Sequence, residues 1–247
     1  MSHTPSKSIQ AGVFYGVGVG PGDPELLTFK AARLIQSADL VVFLENTAGN
    51  SQARNIAALA LKDAQSQQKE LPITMPMQED RVLANKAYDR AAEMISDALD
   101  TQLSVVFLCE GDPLFFGSFS YLLMRLKASY PCKVVPGICS VNAASAALNL
   151  PLTLLNESLA VVSARNSDEE ILRACNNFDS LLILKAGRSR PRLLKLLTQS
   201  GRSHDAKYLE YIGRDNQKIA SDVEQLDDEA GPYFSLFVIT PDRKNAP

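Results

Sequence analysis

The chain has 247 residues, of which 46% are hydrophobic and 21% are charged, and its formal net charge is −3. This composition supports a sizeable hydrophobic core and excludes a predominantly disordered or fibrous protein. The acidic balance disfavours a nucleic-acid-binding protein, because such proteins usually show a basic excess or stripe. No apolar run approaches the roughly 20 residues of a membrane helix, and the polar start MSHTPSKSIQ does not resemble a secretory signal.

Strands and helices alternate along the first half of the chain. The expected elements are a strand over 13–19, a helix over 24–38, a strand over 39–44, a helix over 79–99, a strand over 103–109 and a helix ending near residue 127. Continuous apolar strands separated by helices predict an α/β protein with a mainly parallel sheet covered on both faces.

The second half follows a short proline-containing stretch, ASYPC, over 128–132. Its expected elements are a small-residue helix over 140–150, strands around 159–163 and 180–184, and a helix over 191–200. The last stretch contains strands without helices between them, which predicts a mixed sheet. We therefore divide the chain into two α/β lobes, 11–130 and 131–243, and expect the ligand in the cleft between them.

The cysteines form no C-x-x-C pair, and the chain has only two histidines. We therefore predict neither a structural zinc site nor any other metal centre. Cys109 falls inside the apolar run LSVVFLC and is expected to be a buried thiol. Unpaired thiols are typical of a reducing, cytoplasmic compartment.

A glycine-rich loop, GVGVGPGDPELLT over 16–28, follows the first strand. It is not the dinucleotide-binding fingerprint, because G-x-G-x-x-G would require glycine at Pro21 or Asp23. Asp23 is expected to cap the following helix, so a pyrophosphate would face carboxylates at this helix start. The glycines are expected to let the backbone approach a less anionic ligand closely; the alternative is a tight strand-to-helix turn.

A second loop, CEGDPLFFGS over 109–118, repeats the order of strand, Gly-Asp-Pro and helix. Both loops leave the carboxyl ends of predicted strands, so we expect them at one edge of the sheet, where open α/β sheets bind ligands. The alternative is that each Gly-Asp-Pro is only a cap. A third segment, 134–153, has small residues that would let a ligand approach a helix start; the alternative is a tightly packed core helix.

Five segments, in order and along nearly the whole chain, are similar to the tetrapyrrole (corrin/porphyrin) methylases: GVGVGPGDPELLTFKAARLIQSADLVVF, EGDPLFFGS, VVPGICS, PLT and LKAGR. EGDPLFFGSFSYL followed by VVPGICSVNAA most resembles the branch that methylates precorrin-2 at C(20). The resemblance implies the two-lobed α/β fold of that family, with the active site in the cleft. It also implies S-adenosyl-L-methionine as methyl donor, a small-molecule tetrapyrrole substrate, no nucleic-acid or membrane partner, and a homodimer.

The resemblance also implies a set of cofactor contacts. These are Pro21, Glu110, Gly111, Asp112, Phe115, Cys139, Ser140, Ala186 and Ile212. In this assignment residues 110–112 line the methionine part, and Ala186 and Ile212 flank the adenine through backbone contacts. Leu44 departs from the Tyr-Pro that relatives often carry at this point, so substrate contacts of loop 45–52 are not carried over.

Methyl transfer from a sulfonium requires mainly positioning and the exclusion of water, because the methyl group is already activated. The chain accordingly has no histidine in any of the three loops, which disfavours a hydrolase with a Ser-His-Asp set. A proton must leave the methylated carbon or its neighbour. Glu110 and Asp112 are candidate bases by location, but Asp112 is equally explained as a helix cap, and we assign no catalytic residue.

The tetrapyrrole substrate that the resemblance implies is a macrocycle with several carboxylates, so cationic side chains are expected near its binding site. Cations cluster around one turn: Lys185, Arg188, Arg190, Arg192 and Lys195. Arg188 adjoins Ala186-Gly187 and is the expected substrate-binding residue, while Arg165 is a weaker candidate. The alternative for the whole cluster is a solvated charged face.

Several functions remain open at this point. The expected reaction converts precorrin-2, either metal-free or cobalt-loaded, into precorrin-3A. The near alternative is another methylase of the family that acts at a different ring position. A dinucleotide-dependent oxidoreductase is suggested by the glycine-rich turn and by Glu45, about 25 residues after Gly20, but Pro21 and the acidic helix start disfavour it. A non-catalytic ligand-binding module would use the same cleft.

Overall fold

The structure is a computed structural model that describes residues 9–76 and 81–242. The chain divides into two compact units between Cys139 and Ser140. The strands of the first unit are β1 (Phe14–Gly18), β2 (Leu40–Glu45), β3 (Lys69–Thr74), β4 (Val105–Cys109) and β5 (Cys132–Val135). Its helices are α1 (Phe29–Ser37), α2 (Gln52–Ile56), α3 (Ala58–Lys62), α4 (Arg81–Asp100) and α5 (Phe119–Leu126).

The first sheet has the order β3-β2-β4-β1-β5, and all its strand pairs are parallel. Side chains alternate along β1: Tyr15 and Val17 pack with α1 to α3, whereas Phe14 packs with α4 and α5. Both faces of the sheet are therefore covered, as predicted. Since α1 and α5 lie on opposite faces, the loops after β1 and β4 turn to opposite sides, which is where open α/β sheets bind ligands.

The second unit contains β6 (Leu159–Ser163), β7 (Ser180–Leu184), β8 (Ala206–Glu210), β9 (Lys218–Ala220) and β10 (Ser235–Ile239). Its helices are α6 (Ser140–Leu148), α7 (Asp168–Asn177) and α8 (Arg190–Gln199). The strand order is β6-β7-β10-β8-β9, in which β6 and β7 are parallel and the other pairs antiparallel. The predicted mixed sheet is therefore confirmed.

Two helices show how local sequence sets their limits. In α8, Pro191 lies in the first turn, and Gly201 beyond its end has a left-handed φ of 69°, as the sequence pattern predicts. The helix α7 was not predicted, although Ser167 and Glu170 form a capping box at its start. That Ser-x-x-Glu pattern is the local signal that would have located it.

The expected helix over 24–38 is wrong in its first third, over residues 24–28. Residues Pro24–Leu26 form one 3-10 turn capped by Asp23, and α1 begins only at Phe29. The hydroxyl of Thr28 accepts a hydrogen bond from the Ala31 amide at 3.1 Å and caps α1. No acidic residue lies in the first turn of α1, so the expected electrostatic argument from its dipole does not apply.

Other differences arise at the edges of the first sheet. The unpredicted strand β3 is an edge strand with mostly exposed residues and contains Pro72, which weakens a strand pattern. The short helices α2 and α3 were also not predicted. The boundary expected at residue 130 falls too early, because β5 pairs with β1 and belongs to the first unit.

The expectation for Cys109 is confirmed: only 2% of this residue is exposed, and burial raises the pKa of its thiol. Across residues 9–76 and 81–242, no helix is both long and apolar enough to cross a membrane.

Candidate functional site

Two loops meet at the carboxyl edge of the first sheet. Gly20, after β1, and Gly111, after β4, form an isolated antiparallel bridge in which the Gly111 amide donates to the Gly20 carbonyl at 2.8 Å. Both residues have left-handed φ angles, 88° and 64°, which glycine adopts without strain. The prediction that the two Gly-Asp-Pro loops lie at one edge is therefore confirmed.

The loop after β5 joins them through glycine backbone. A Cβ atom on Gly137 would lie 2.1 Å from the Gly111 carbonyl oxygen, and one on Gly18 would lie 2.6 Å from the same oxygen and from the Gly137 Cα. We call Gly18, Gly111 and Gly137 the glycine junction. The space beside Gly18 is filled by the protein's own backbone, which corrects the expectation that this glycine leaves room for a ligand.

Asp112 fastens the second loop to the third. Its Oδ1 accepts hydrogen bonds from the amides of Leu114 and Phe115 at 2.9 and 3.1 Å, and its Oδ2 accepts one from the Gly137 amide at 3.1 Å. Both carboxylate oxygens are thus engaged by backbone amides. This arrangement favours a loop cap over a general base.

The residues beside the glycine junction include most of the predicted cofactor contacts of the first unit. Pro21 and Glu110 are half-buried, Phe115 is 38% exposed, and the Cys139 Cα lies 3.6 Å from a Cβ built on Gly111. The neighbouring Phe116 has a left-handed φ of 54°, which is strained for an aromatic residue. Such strain is concentrated at ligand sites, because only surrounding structure can maintain it.

The charged residues of the three loops determine whether a cationic or an anionic ligand is favoured there. The segments 16–28, 109–118 and 134–140 contain no Lys, Arg or His. Their charged residues are Asp23, Glu25, Glu110 and Asp112. A negative potential attracts a cation such as a sulfonium and repels a pyrophosphate. The loop charges, rather than the dipole of α1, therefore disfavour a dinucleotide.

In the second unit, the predicted adenine contacts Ala186 and Ile212 follow β7 and β8. These strands run in the same direction, since each is antiparallel to β10 between them. Lys185 and Tyr211 have left-handed φ angles of 59° and 51° at the two strand ends. The amides of Ala186 and Tyr211 donate to carbonyls of residues 234–235 at 3.1 and 2.8 Å, so both turns lie at one edge of the sheet.

The cationic side chains of the predicted cluster are of two kinds: some are exposed, and others form ion pairs and hydrogen bonds within the protein. Arg188 and Arg165 are exposed, and Lys195 lies 4.0 Å from the carboxylate of Asp228 on the surface. Arg188 therefore keeps the exposure that a substrate contact requires. Ser140, the remaining predicted cofactor contact, is half-buried and begins α6.

Arg190 and Arg192 are used internally. Arg190 is 7% exposed and contacts Glu210 and Asp227. Arg192 pairs with Asp168 and also donates to the backbone carbonyls of residues 164 and 166. The solvated-face alternative is wrong for the buried Arg190, whereas the Arg192 side chain is 36% exposed beside Asp168. Sequence reasoning missed their roles because the partners lie far along the chain and leave no local pattern.

Asn46 stabilises the turn within the loop 45–52, for which no substrate contacts are assigned. Its side-chain oxygen accepts hydrogen bonds from the amides of Ala48 and Asn50, both at 3.0 Å. Leu44 lies within β2, before this turn. Over the described ranges 9–76 and 81–242, no group of three or more His, Cys, Asp or Glu is placed to hold a metal ion.

Comparisons with known proteins identify the family. The family model for tetrapyrrole (corrin/porphyrin) methylases matches residues 13–227. A precorrin-2 C(20)-methyltransferase from Sinorhizobium sp is 33% identical over 246 residues, which cover 98% of this chain and 100% of that protein. The cobalamin biosynthesis protein CobIJ of Mycobacterium bovis is 36% identical over 242 residues; these cover 95% of this chain but 47% of that relative, so the chain spans about half its length.

A solved structure gives the same result for the fold. The crystal structure of uroporphyrin-III C-methyltransferase from Thermus thermophilus, complexed with S-adenosylhomocysteine, has a TM-score of 0.64 and 23% identity. The match covers 92% of this chain and 96% of that one. The chain belongs to the tetrapyrrole (corrin/porphyrin) methylases.

Proposed function

We propose that the protein is an S-adenosyl-L-methionine-dependent C-methyltransferase of cobalamin biosynthesis that converts precorrin-2 into precorrin-3A by methylation at C(20). Family membership supports methyl transfer to a tetrapyrrole, and the Sinorhizobium relative, matched over its whole length, supports the ring position. The observation that carries the proposal is the glycine junction, where three loops with only acidic charges meet at the carboxyl edge of a parallel sheet.

The residues present fit a cationic methyl donor. Residues 110–112 would hold its methionine part, and the further proposed cofactor contacts are Pro21, Phe115, Cys139 and Ser140. Acidic loops and an exposed aromatic ring suit a sulfonium. Backbone groups of Ala186 and Ile212 would hold its adenine. When bound, S-adenosyl-L-methionine supplies an activated methyl group.

The chain's own residues then act mainly by position. Asp112 and the glycine junction keep the loops rigid, and the exposed ring of Phe115 excludes water from the reacting centre. Backbone amides engage both carboxylate oxygens of Asp112, and we assign no residue to accept the proton released from the methylated ring. Arg188 would bind a peripheral carboxylate of the substrate. We also propose a cytoplasmic homodimer, on the basis of the family resemblance.

Mass spectrometry tests this function directly. The pure protein is incubated without oxygen with S-adenosyl-L-methionine and precorrin-2, in one metal-free and one cobalt-loaded sample. A substrate mass gain of roughly 14 Da, one methyl group, is expected in at least one sample. The faster sample identifies the preferred metal state.

Two other outcomes would change the proposal in different ways. If S-adenosylhomocysteine binds but neither sample is methylated, the methyl donor is retained and the substrate is a different tetrapyrrole. If S-adenosylhomocysteine does not bind, the methyltransferase function itself is wrong. If the protein binds the macrocycle but neither methylates it nor binds S-adenosylhomocysteine, it is a non-catalytic ligand-binding module.

A further inference from the structure

Arg190 is a buried cation held from three directions at the start of α8. Its Nε donates to the Glu229 carbonyl at 2.7 Å, and one terminal nitrogen pairs with the Asp227 carboxylate. The other terminal nitrogen lies 3.7 Å from Oε1 of Glu210, which is itself only 8% exposed. The guanidinium also lies over the Tyr208 ring, 5.5 Å from its centroid. A buried cation requires such partners, because desolvation strongly disfavours an unpaired charge.

These contacts connect three segments that are distant in sequence. Arg190 is the first residue of α8, Glu210 is the last residue of β8, and Asp227 and Glu229 lie in the segment before β10. We call Arg190, Glu210 and Asp227 the arginine clamp. Because the clamp joins the start of α8 and the end of β8 to the segment before β10, it restricts how these three segments lie relative to one another.

The segment before β10 also packs on the turn that follows β7. The Gly231 amide donates to the Gly187 carbonyl at 2.9 Å, and a Cβ on Gly187 would lie 1.8 Å from the Pro232 carbonyl oxygen. Ala186 precedes this contact directly and is fully buried. Its backbone position therefore depends on the segment that Arg190 holds.

The clamp also acts close to the strained turn after β8. Glu210 immediately precedes Tyr211, whose left-handed φ of 51° leads the chain to Ile212. A non-glycine residue keeps this conformation only where its surroundings enforce it. Glu210 directly precedes this turn and lies 3.7 Å from Arg190, so the clamp acts on the residue from which the turn starts.

We propose that Arg190 is a positioning residue for adenine recognition, which sets the backbone groups of Ala186 and Ile212 at the spacing that adenine requires. This inference rests on the proposed function, because it assumes that this edge of the second unit binds the adenine of the methyl donor. Arg190 itself contacts no ligand in this proposal. It acts through the two turns that the clamp joins.

The test is calorimetric binding of two ligands to the purified full chain. S-Adenosylhomocysteine carries adenine, and S-inosylhomocysteine carries hypoxanthine, in which the amino group and the neighbouring ring nitrogen exchange their donor and acceptor roles. Backbone groups placed for adenine reject hypoxanthine, so the ratio of the two affinities reports their placement. This ratio does not change when a variant merely loses a fraction of folded protein.

The variants are Arg190→Gln, Arg190→Lys and the matched control Arg192→Gln, which removes an ion-paired arginine from the same helix. We expect Arg190→Gln to weaken S-adenosylhomocysteine binding about tenfold and to lower the affinity ratio by a similar factor. Arg190→Lys should recover part of both effects, because it keeps the charge but not the forked geometry. Arg192→Gln should keep the wild-type ratio.

A folded Arg190→Gln variant with the wild-type affinity ratio would overturn the inference while leaving the proposed function intact. If this variant fails to fold, the affinity ratio is measured for Asp227→Asn instead. The Asp227 side chain is 65% exposed, so this substitution removes the negative charge of one clamp partner without disturbing the core. A lowered ratio in Asp227→Asn supports the clamp, and an unchanged ratio refutes it. Failure of the wild type to bind S-adenosylhomocysteine would instead contradict the proposed function.

Discussion

Both units hold the loops at the carboxyl ends of their strands by close backbone contact, and the second unit adds a clamp of ion pairs. In the first unit, the backbones of Gly18, Gly111 and Gly137 lie directly against one another, and a Cβ on Gly18 or Gly137 would meet backbone atoms at 2.6 or 2.1 Å. In the second unit, the Gly187 backbone lies against the Pro232 carbonyl in the same way, and the charged side chains of Arg190 and Asp227 hold the corresponding turns in addition. The two kinds of contact differ in the substitutions they tolerate. Close backbone contact excludes every residue larger than glycine, whereas the ion-pair clamp loses part of its stabilisation with each charged residue that is replaced.

The largest effect is expected for Gly137→Ala in the glycine junction. The new Cβ would lie 2.1 Å from the Gly111 carbonyl oxygen, and backbone cannot move aside as a flexible side chain can. We expect a loss of about 3 kcal/mol or more in the free energy of unfolding, measured by urea denaturation. Binding of S-adenosylhomocysteine should be lost with it.

Gly49→Ala is the matched control for this change. Gly49 has a left-handed φ of 77° and no atom within 4 Å of a built Cβ. Its substitution should cost only the conformational strain of about 1 kcal/mol. Equal losses in the two variants would mean that close backbone contact does not set the cost of substitution at Gly137.

The next effect compares the aspartates of the two Gly-Asp-Pro loops. Asp112→Ala removes the acceptor for three backbone amides, whereas Asp23→Ala removes the acceptor for the Glu25 amide at an exposed turn. We expect Asp112→Ala to lower stability by about 1–2 kcal/mol and to weaken S-adenosylhomocysteine binding about tenfold. Calorimetry showing the same affinity for both variants would remove Asp112 from the proposed cofactor contacts.

A smaller effect is expected for Arg188→Gln, which changes an exposed cation of the second unit outside the arginine clamp. The KM for the tetrapyrrole should rise about fivefold, because one charge-assisted hydrogen bond to a carboxylate is lost. The Kd for S-adenosylhomocysteine should stay within the error of calorimetry. Lys195→Gln, which removes an exposed cation from α8, is the control and should leave both constants unchanged; a similar rise in KM there would indicate a diffuse charge effect instead.

The smallest effect concerns Asp179, an exposed carboxylate that holds the start of β6. The Ser158 amide and hydroxyl donate to its Oδ2 at 2.7 and 2.8 Å, and these hydrogen bonds lower the pKa of Asp179. A carboxylate with a lowered folded-state pKa stabilises the protein above its unfolded-state pKa, and this contribution disappears as the pH falls through the folded-state value.

Asp179→Asn should therefore lower the Tm at pH 7, and its difference from wild type should shrink below about pH 4. Scanning calorimetry from neutral to acidic pH measures this. Asp97→Asn on α4 controls for the general effect of removing one exposed negative charge. A Tm difference that persists unchanged to low pH would contradict the assignment to the ionised Asp179.

Much of the fold could be predicted from local sequence patterns. The alternation of apolar strands with helices indicated the parallel first sheet, and the run of strands at the end indicated the mixed second sheet. The edge strand β3 and the helix start at Phe29 could not be predicted in this way. In β3 the apolar pattern is weak because most residues are exposed, and before α1 the hydroxyl of Thr28 provides a cap that competes with Asp23.

The sequence by itself determined the two Gly-Asp-Pro loops, the absence of basic residues beside them and the similarity to a methylase family, because these depend on residue types at short spacing. Only the tertiary structure decided that Gly137 fills the space beside Gly18 and that Arg190 meets Asp227. These contacts join residues far apart in the chain. Strand pairing brings such residues together, and no local pattern records which of them will meet.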